Sequence, residues 1–169
     1  MRLTVRRVKS LDIGAMREMA VDFMHEVEAG LEYPHMDENE VDKHMLEVLS
    51  MLDNPEAMFL IAYDGKKPVG FYTGYVGNKP YSKPTRVAVA QELYVVPDKR
   101  AGLVGLRLME EAGKIAIELG AEGFECIGTY QGTDRRWEKF GFKPHVTYGH
   151  MEPATFMSIV QRFTRGRAA

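Results

Sequence analysis

The chain has 169 residues, a length that suits one domain able to bury its own core, and its 45% hydrophobic and 27% charged residues make an ordinary globular balance. Its 22 basic and 24 acidic side chains leave a net charge of −2, which excludes any global attraction for nucleic acid. The lone cysteine, Cys126, excludes an intrachain disulfide and points to a reducing, cytoplasmic setting.

No apolar run approaches the roughly 18 residues of a membrane helix. Residues 1–7 alternate charged and apolar side chains, without the apolar centre of a signal peptide. The five histidines, His25, His35, His44, His145 and His150, lack zinc spacing, so no metal is expected.

In chain order, Leu3, Val5 and Val8 predict a strand ending near Lys9. Met16, Met19, Ala20, Phe23 and Val27 recur at helical spacing and predict a helix over about 12–29. Asp37-Glu38-Asn39-Glu40 has the spacing of a capping box, and Val41, Met45, Val48 and Leu52 line one face of the helix that follows. A strand over 58–63, a turn at Asp64-Gly65 and a return strand over 69–76 form a hairpin. After a polar loop, 86–96 is the longest strand-like run. Strict alternation would put Val87, Val89, Gln91, Leu93 and Val95 on one face, with Ala88, Ala90, Glu92, Tyr94 and Val96 on the other. Leu103, Leu106, Met109, Ala112, Ala116 and Leu119 mark a third helix closed by Gly120. A strand at 124–128, a helix at 133–140, a strand at 145–151 and a terminal helix at 154–163 complete the order. This succession argues for one α/β or α+β domain over 1–169, a sheet covered by helices. Its last part, 153–169, is the terminal helix and a basic tail carrying Arg162, Arg165 and Arg167.

The chemistry concentrates between Gln91 and Leu108, where a strand runs into a tight loop and the loop opens a helix. Gly102 and Gly105 let an anion approach the backbone. The first amides of a helix have no internal partner and carry partial positive charge, so this is a ready phosphate cradle, with Lys99 and Arg100 adding side-chain charge. A P-loop would need Gly-Lys-Ser/Thr, and a dinucleotide fingerprint would need three glycines at fixed spacing. Neither is present.

Glu92-Leu93-Tyr94-Val95-Val96-Pro97 followed by Arg100-Ala101-Gly102-Leu103-Val104-Gly105 resembles a strand and loop of the GNAT superfamily of N-acetyltransferases. That loop has the form Gln/Arg-x-x-Gly-x-Gly/Ala. Its first and last fixed positions match here, Leu103 replaces the middle glycine, and Gly102 stands one place earlier. Trp137-Glu138-Lys139-Phe140-Gly141-Phe142 is similar to the family's Tyr-Glu-Lys-x-Gly-Phe ending.

The resemblance implies a single GNAT-like domain with a central mixed, mostly antiparallel sheet, splayed at the cofactor strand and flanked by helices. It implies acetyl-CoA as cosubstrate, with its pyrophosphate on the amides of Arg100, Ala101, Gly102, Leu103, Val104, Gly105 and Leu106. The pantetheine arm would run antiparallel to Leu93, Tyr94 and Val95, with Trp137 packed along it. A backbone amide of the same segment would hold the oxyanion. Glu92 would be the general base for a primary amine, on a small molecule or a protein. Trp137 occupies the place of the usual tyrosine acid, and an indole N–H is not a usable proton source. Tyr130 and Tyr148 are therefore the candidate acids. A coenzyme-A-binding or interaction module with little turnover is the alternative, suggested by Trp137 and Leu103.

Between Arg17 and Lys43 there is no basic side chain but there are nine acids: Glu18, Asp22, Glu26, Glu28, Glu32, Asp37, Glu38, Glu40 and Asp42. They read either as a field that attracts a cationic amine or as ordinary solvated helix faces. The sequence selects neither an acceptor nor between a monomer and a homodimer.

Overall fold

A computed structural model describes residues 3–29, 37–78 and 85–126. The chain divides into two compact units, Met1–Gln131 and Gly132–Ala169, and all of the described residues belong to the first. The elements expected at 133–140, 145–151 and 154–163 lie outside the described residues, as do Tyr130, Trp137 and Tyr148.

Five strands are described: β1 (Leu3–Arg7), β2 (Leu60–Asp64), β3 (Lys67–Asn78), β4 (Arg86–Val95) and β5 (Gly123–Cys126). Three α-helices accompany them: α1 (Ile13–Glu28), α2 (Glu38–Ser50) and α3 (Val104–Glu118). The sheet order is β1-β2-β3-β4-β5. The first four strands pair antiparallel, and β5 joins β4 in parallel. A parallel neighbour needs a crossover, and α3 supplies it.

Both faces of the sheet are covered. Leu60, Ala62, Ala88 and Ala90 pack with Val104, Leu108 and Ala112 of α3. Phe59, Ile61, Phe71 and Tyr94 pack with Met16, Met19 and Ala20 of α1 and with Met45 and Val48 of α2. The helical spacing expected for α1 is thus the spacing of its buried residues. Asp37 caps α2, its carboxylate accepting from the Asn39 amide at 2.9 Å. Gly65 takes φ +65° in the turn between β2 and β3, a region that favours glycine.

Two boundaries shift. β1 ends at Arg7, because Ser10–Asp12 winds into a 3₁₀ turn that leads into α1. The buried stripe of α3 is Val104, Leu108, Ala112, Ile115 and Ala116, whereas Leu103 and Leu106, expected to point inward, are exposed.

The 3₁₀ turn is held by Asp12, whose side chain is only 4% exposed. It accepts two bonds from Arg6 at 2.6 and 2.7 Å, one from the Tyr63 hydroxyl at 2.6 Å and one from the Lys9 amide at 2.7 Å. The Arg6 hydrogen bonds outweigh burial and hold the carboxyl down, to about 2. A carboxylate depressed in the folded state stabilises above its ordinary pKa and loses that contribution as pH falls through the folded value. Asp12→Asn should therefore cost about 2 kcal/mol at neutral pH, and the gap from wild type should close as pH falls from about 4 toward 2. Denaturant titrations at pH 7 and pH 2.5 check this, and a gap of equal size at both would contradict it.

Candidate active site

β4 carries the site, and a bulge sets its aim. Thr73 pairs with Glu92 but Gly74 pairs with Ala90, so Gln91 is an extra residue on β4. A bulge exchanges the faces of everything beyond it. Ala88 and Ala90 therefore share the α3 face with Leu93 and Val95. Tyr94 lies on the opposite face with α1 and α2, and Glu92 meets α2 there. Strict alternation, which grouped Glu92 and Tyr94 with Ala88 and Ala90, is corrected by that one residue. Gly74 makes the bulge feasible. A Cβ at this position would lie 2.5 Å from the Val89 carbonyl oxygen and 2.9 Å from the Tyr72 hydroxyl.

Glu92 is half-buried. Its Oε2 accepts from the Thr73 hydroxyl at 2.8 Å and faces His44 Nε2 of α2 at 3.2 Å. The sequence singles out His44 only as a histidine without zinc spacing. The available signal was its place in the apolar stripe Val41, His44, Met45, Val48, where a titratable ring turns toward the sheet. Among the described residues, no group of three or more His, Cys, Asp or Glu is placed to hold a metal ion.

Tyr94 packs on Phe23 and Phe71, with ring centroids 5.9 Å away in each case. Burial, with Glu26 and Asp22 nearby, pushes its hydroxyl up to about 12, so it stays protonated at neutral pH.

The loop after β4 winds through a 3₁₀ turn, Pro97–Lys99, and opens α3 at Val104. The Arg100 and Gly102 amides are spent on the Pro97 and Lys99 carbonyls, at 3.4 and 3.1 Å. Those of Ala101, Leu103, Val104, Gly105 and Leu106 meet no acceptor among the described residues. The two cations expected to add charge are already paired. Lys99 holds Asp64 at 3.0 Å. Arg100 grips Glu26 of α1 at 2.6 and 2.7 Å, donates from Nε to the Val95 carbonyl at 2.8 Å and lies over the Tyr94 ring. Any anion affinity of this loop therefore rests on main-chain amides rather than on free side-chain charge.

β5 pairs with β4 only along Val87–Ala90. From Gln91 to Val95 no strand among the described residues lies on that edge. Most of the acids before Lys43 are also satisfied locally. Glu38 and Asp42 share Arg17, Glu40 meets Lys43, Asp37 caps α2 and Glu26 holds Arg100. Glu18 and Asp22 have no cation within ion-pair distance among the described residues. Glu32 and the Glu28 side chain lie outside the described residues, so the free field that the described part of the window offers is that of Glu18 and Asp22.

The model of the Acetyltransferase (GNAT) family matches residues 16–142. The chain belongs to this family. Solved structures with the GNAT fold align over nearly their whole length. A predicted acetyltransferase from Clostridium acetobutylicum, solved with acetyl-CoA, is 14% identical with a TM-score of 0.70, covering 89% of this chain and 96% of that one. The glucosamine-6-phosphate N-acetyltransferase of Arabidopsis thaliana is 11% identical with a TM-score of 0.64, covering 90% and 99%. A transcriptional regulator from Bacillus halodurans C-125 is 18% identical with a TM-score of 0.70, covering 89% and 99%. At these identities the likeness establishes the GNAT fold. No curated protein sequence matches the chain. No described helix of this GNAT chain is long and apolar enough to cross a membrane.

Proposed function

We propose that this protein is an N-acetyltransferase that moves an acetyl group from acetyl-CoA to a primary amine by direct attack on the thioester. One observation carries the reading. A half-buried carboxylate, Glu92, sits on the strand segment that has no partner along one edge among the described residues, and that segment runs straight into a loop and first helical turn in which the amides of Ala101, Leu103, Val104, Gly105 and Leu106 meet no acceptor among the described residues. The free amides of Ala101, Leu103, Val104, Gly105 and Leu106 suit a diphosphate. The open edge along Leu93–Val95 suits an amide-bearing arm that pairs as an added strand. The donor set of the chain thus fits coenzyme A, with Trp137 assigned to the arm.

In the reaction the amine nitrogen forms a bond to the acyl carbon, the carbon–sulfur bond breaks, and the thiolate leaves with the electron pair. Glu92 takes the proton that the amine must lose. A main-chain amide of the Leu93–Val95 segment offers a donor for the oxyanion. Tyr130 and Tyr148 are the candidates to protonate the thiolate. The acceptor, a small molecule or a protein, enters beside α1 and α2, where Glu18 and Asp22 supply the negative charge that would favour a cationic amine. The whole chain, 132–169 included, works as one acyltransferase domain.

Leu103 favours a second reading, a coenzyme-A-binding module without turnover, because a bulky exposed side chain stands where the family has glycine. Free thiol release from acetyl-CoA, measured against a panel of amines, separates the two. Transfer predicts release that depends on the amine, whereas a module would bind the coenzyme and release nothing with any acceptor.

A further inference from the structure

Resting on the assignment of Glu92 as base, we propose that His44 is its positioning partner: it fixes one carboxylate oxygen together with Thr73, and the charge on its ring decides whether that carboxylate is tied up in an ion pair. The geometry is convergent. The Thr73 hydroxyl and His44 Nε2 approach the same oxygen, Oε2, at 2.8 and 3.2 Å. A carboxylate only accepts, so Nε2 must carry the hydrogen. Two donors on Oε2 hold the rotamer and leave Oε1 without a partner among the described residues, available to the amine.

The charges around the ring act in one direction. Glu92 faces it from β4. Glu47, one turn along α2, stands 3.8 Å from Nδ1. Thr73 of β3 is neutral. On α1, Arg17 is committed to Asp42 and Glu38. The Glu92 hydrogen bond raises the His44 pKa above its ordinary 6.5, against the opposing effect of burial, and the charges of Glu92 and Glu47 add to it.

The consequence for Glu92 is direct. Below that ionisation the carboxylate is engaged in an ion pair with imidazolium, its charge held by the ring rather than offered to the amine. Above it, neutral imidazole still donates from Nε2 and holds the carboxylate in place without an opposing charge. Transfer should therefore rise with pH through an ionisation above 6.5 that belongs to the enzyme. Stability runs the other way: a raised histidine stabilises fully below its unfolded pKa, and that contribution is lost as pH rises through the folded value.

The test is kcat/KM against pH for the full chain with acetyl-CoA and two amines of different pKa, comparing wild type, His44→Gln, His44→Leu and Glu92→Gln. In wild type the histidine limb, falling about tenfold per pH unit on its acid side, should stay in place when the amine is changed, while the amine's own limb moves. His44→Gln keeps an N–H donor, so it should approach wild type at high pH and lose the histidine limb. His44→Leu should lose about 10- to 100-fold in kcat above the histidine limb, with KM for acetyl-CoA unchanged, as expected when a donor to a charged group is removed. Persistence of the limb in His44→Gln, or wild-type kcat in His44→Leu, overturns the proposal while the base assignment stands. Wild-type turnover in Glu92→Gln removes the base assignment, and this proposal falls with it.

Discussion

Glu92→Gln is expected to lower acetyl transfer by about 10²- to 10⁴-fold while leaving acetyl-CoA affinity close to wild type. An alkyl amine with a pKa near ~10 is almost wholly protonated at pH 7, so freeing its lone pair costs about 4 kcal/mol. A positioned carboxylate offsets part of that cost. Glutamine keeps the length and shape of the side chain and can still accept from Thr73. It cannot take a proton from an amine at neutral pH, nor can it hold the charge that forms when one is transferred. The expected signature is a fall in kcat, with the dissociation constant of acetyl-CoA measured separately by calorimetry. If kcat matched wild type across the pH range, the base would lie elsewhere in the molecule.

Gly105→Glu is expected to abolish coenzyme A binding without unfolding the protein. Gly105 lies in the first turn of α3, and among the described residues a Cβ there would meet only the Val95 Cγ2 at 3.6 Å, an ordinary contact. The fold therefore accommodates a side chain, and a helix gains from losing a glycine. The proposed ligand does not tolerate the change, since glutamate sets bulk and a negative charge against a diphosphate that binds through amides alone. Thermal melting should confirm a folded variant, and calorimetry should then find no heat of binding. Unchanged affinity would count against the loop as the diphosphate site. Arg100 and Lys99, the cations of the loop itself, are tied to Glu26 and Asp64 and so are not free to compensate.

Much of this arrangement is legible in the sequence because it is written in local periods. The stripe of α1, the Asp37 cap, the Asp64-Gly65 turn and the strand–loop–helix at Val95–Val104 each depend on neighbours a few residues away. The bulge at Gln91 is not of that kind. β4 is covered on both faces, so its alternating positions are apolar on both sides and a one-residue slip leaves no mark in the pattern. The helix stripe of α3 was misplaced for a related reason. Leu103 and Leu106 are apolar yet exposed at its start, and an apolar side chain alone does not reveal which way it points. Long-range pairs were equally hidden. Arg100 meets Glu26 across 74 positions, and His44 meets Glu92 across 48. Charge could be counted along the chain, but its neutralisation became visible only once α1 and α2 were laid on the sheet.

The most direct measurement follows the backbone amide resonances of isotope-labelled protein during a titration with coenzyme A. Binding through free amides ahead of α3 and along the open edge of β4 predicts large shifts at Ala101, Leu103, Val104, Gly105 and Leu106 and at Leu93–Val95, with small ones along β1 and β2. Shifts that spare the 101–106 loop and gather elsewhere would contradict it.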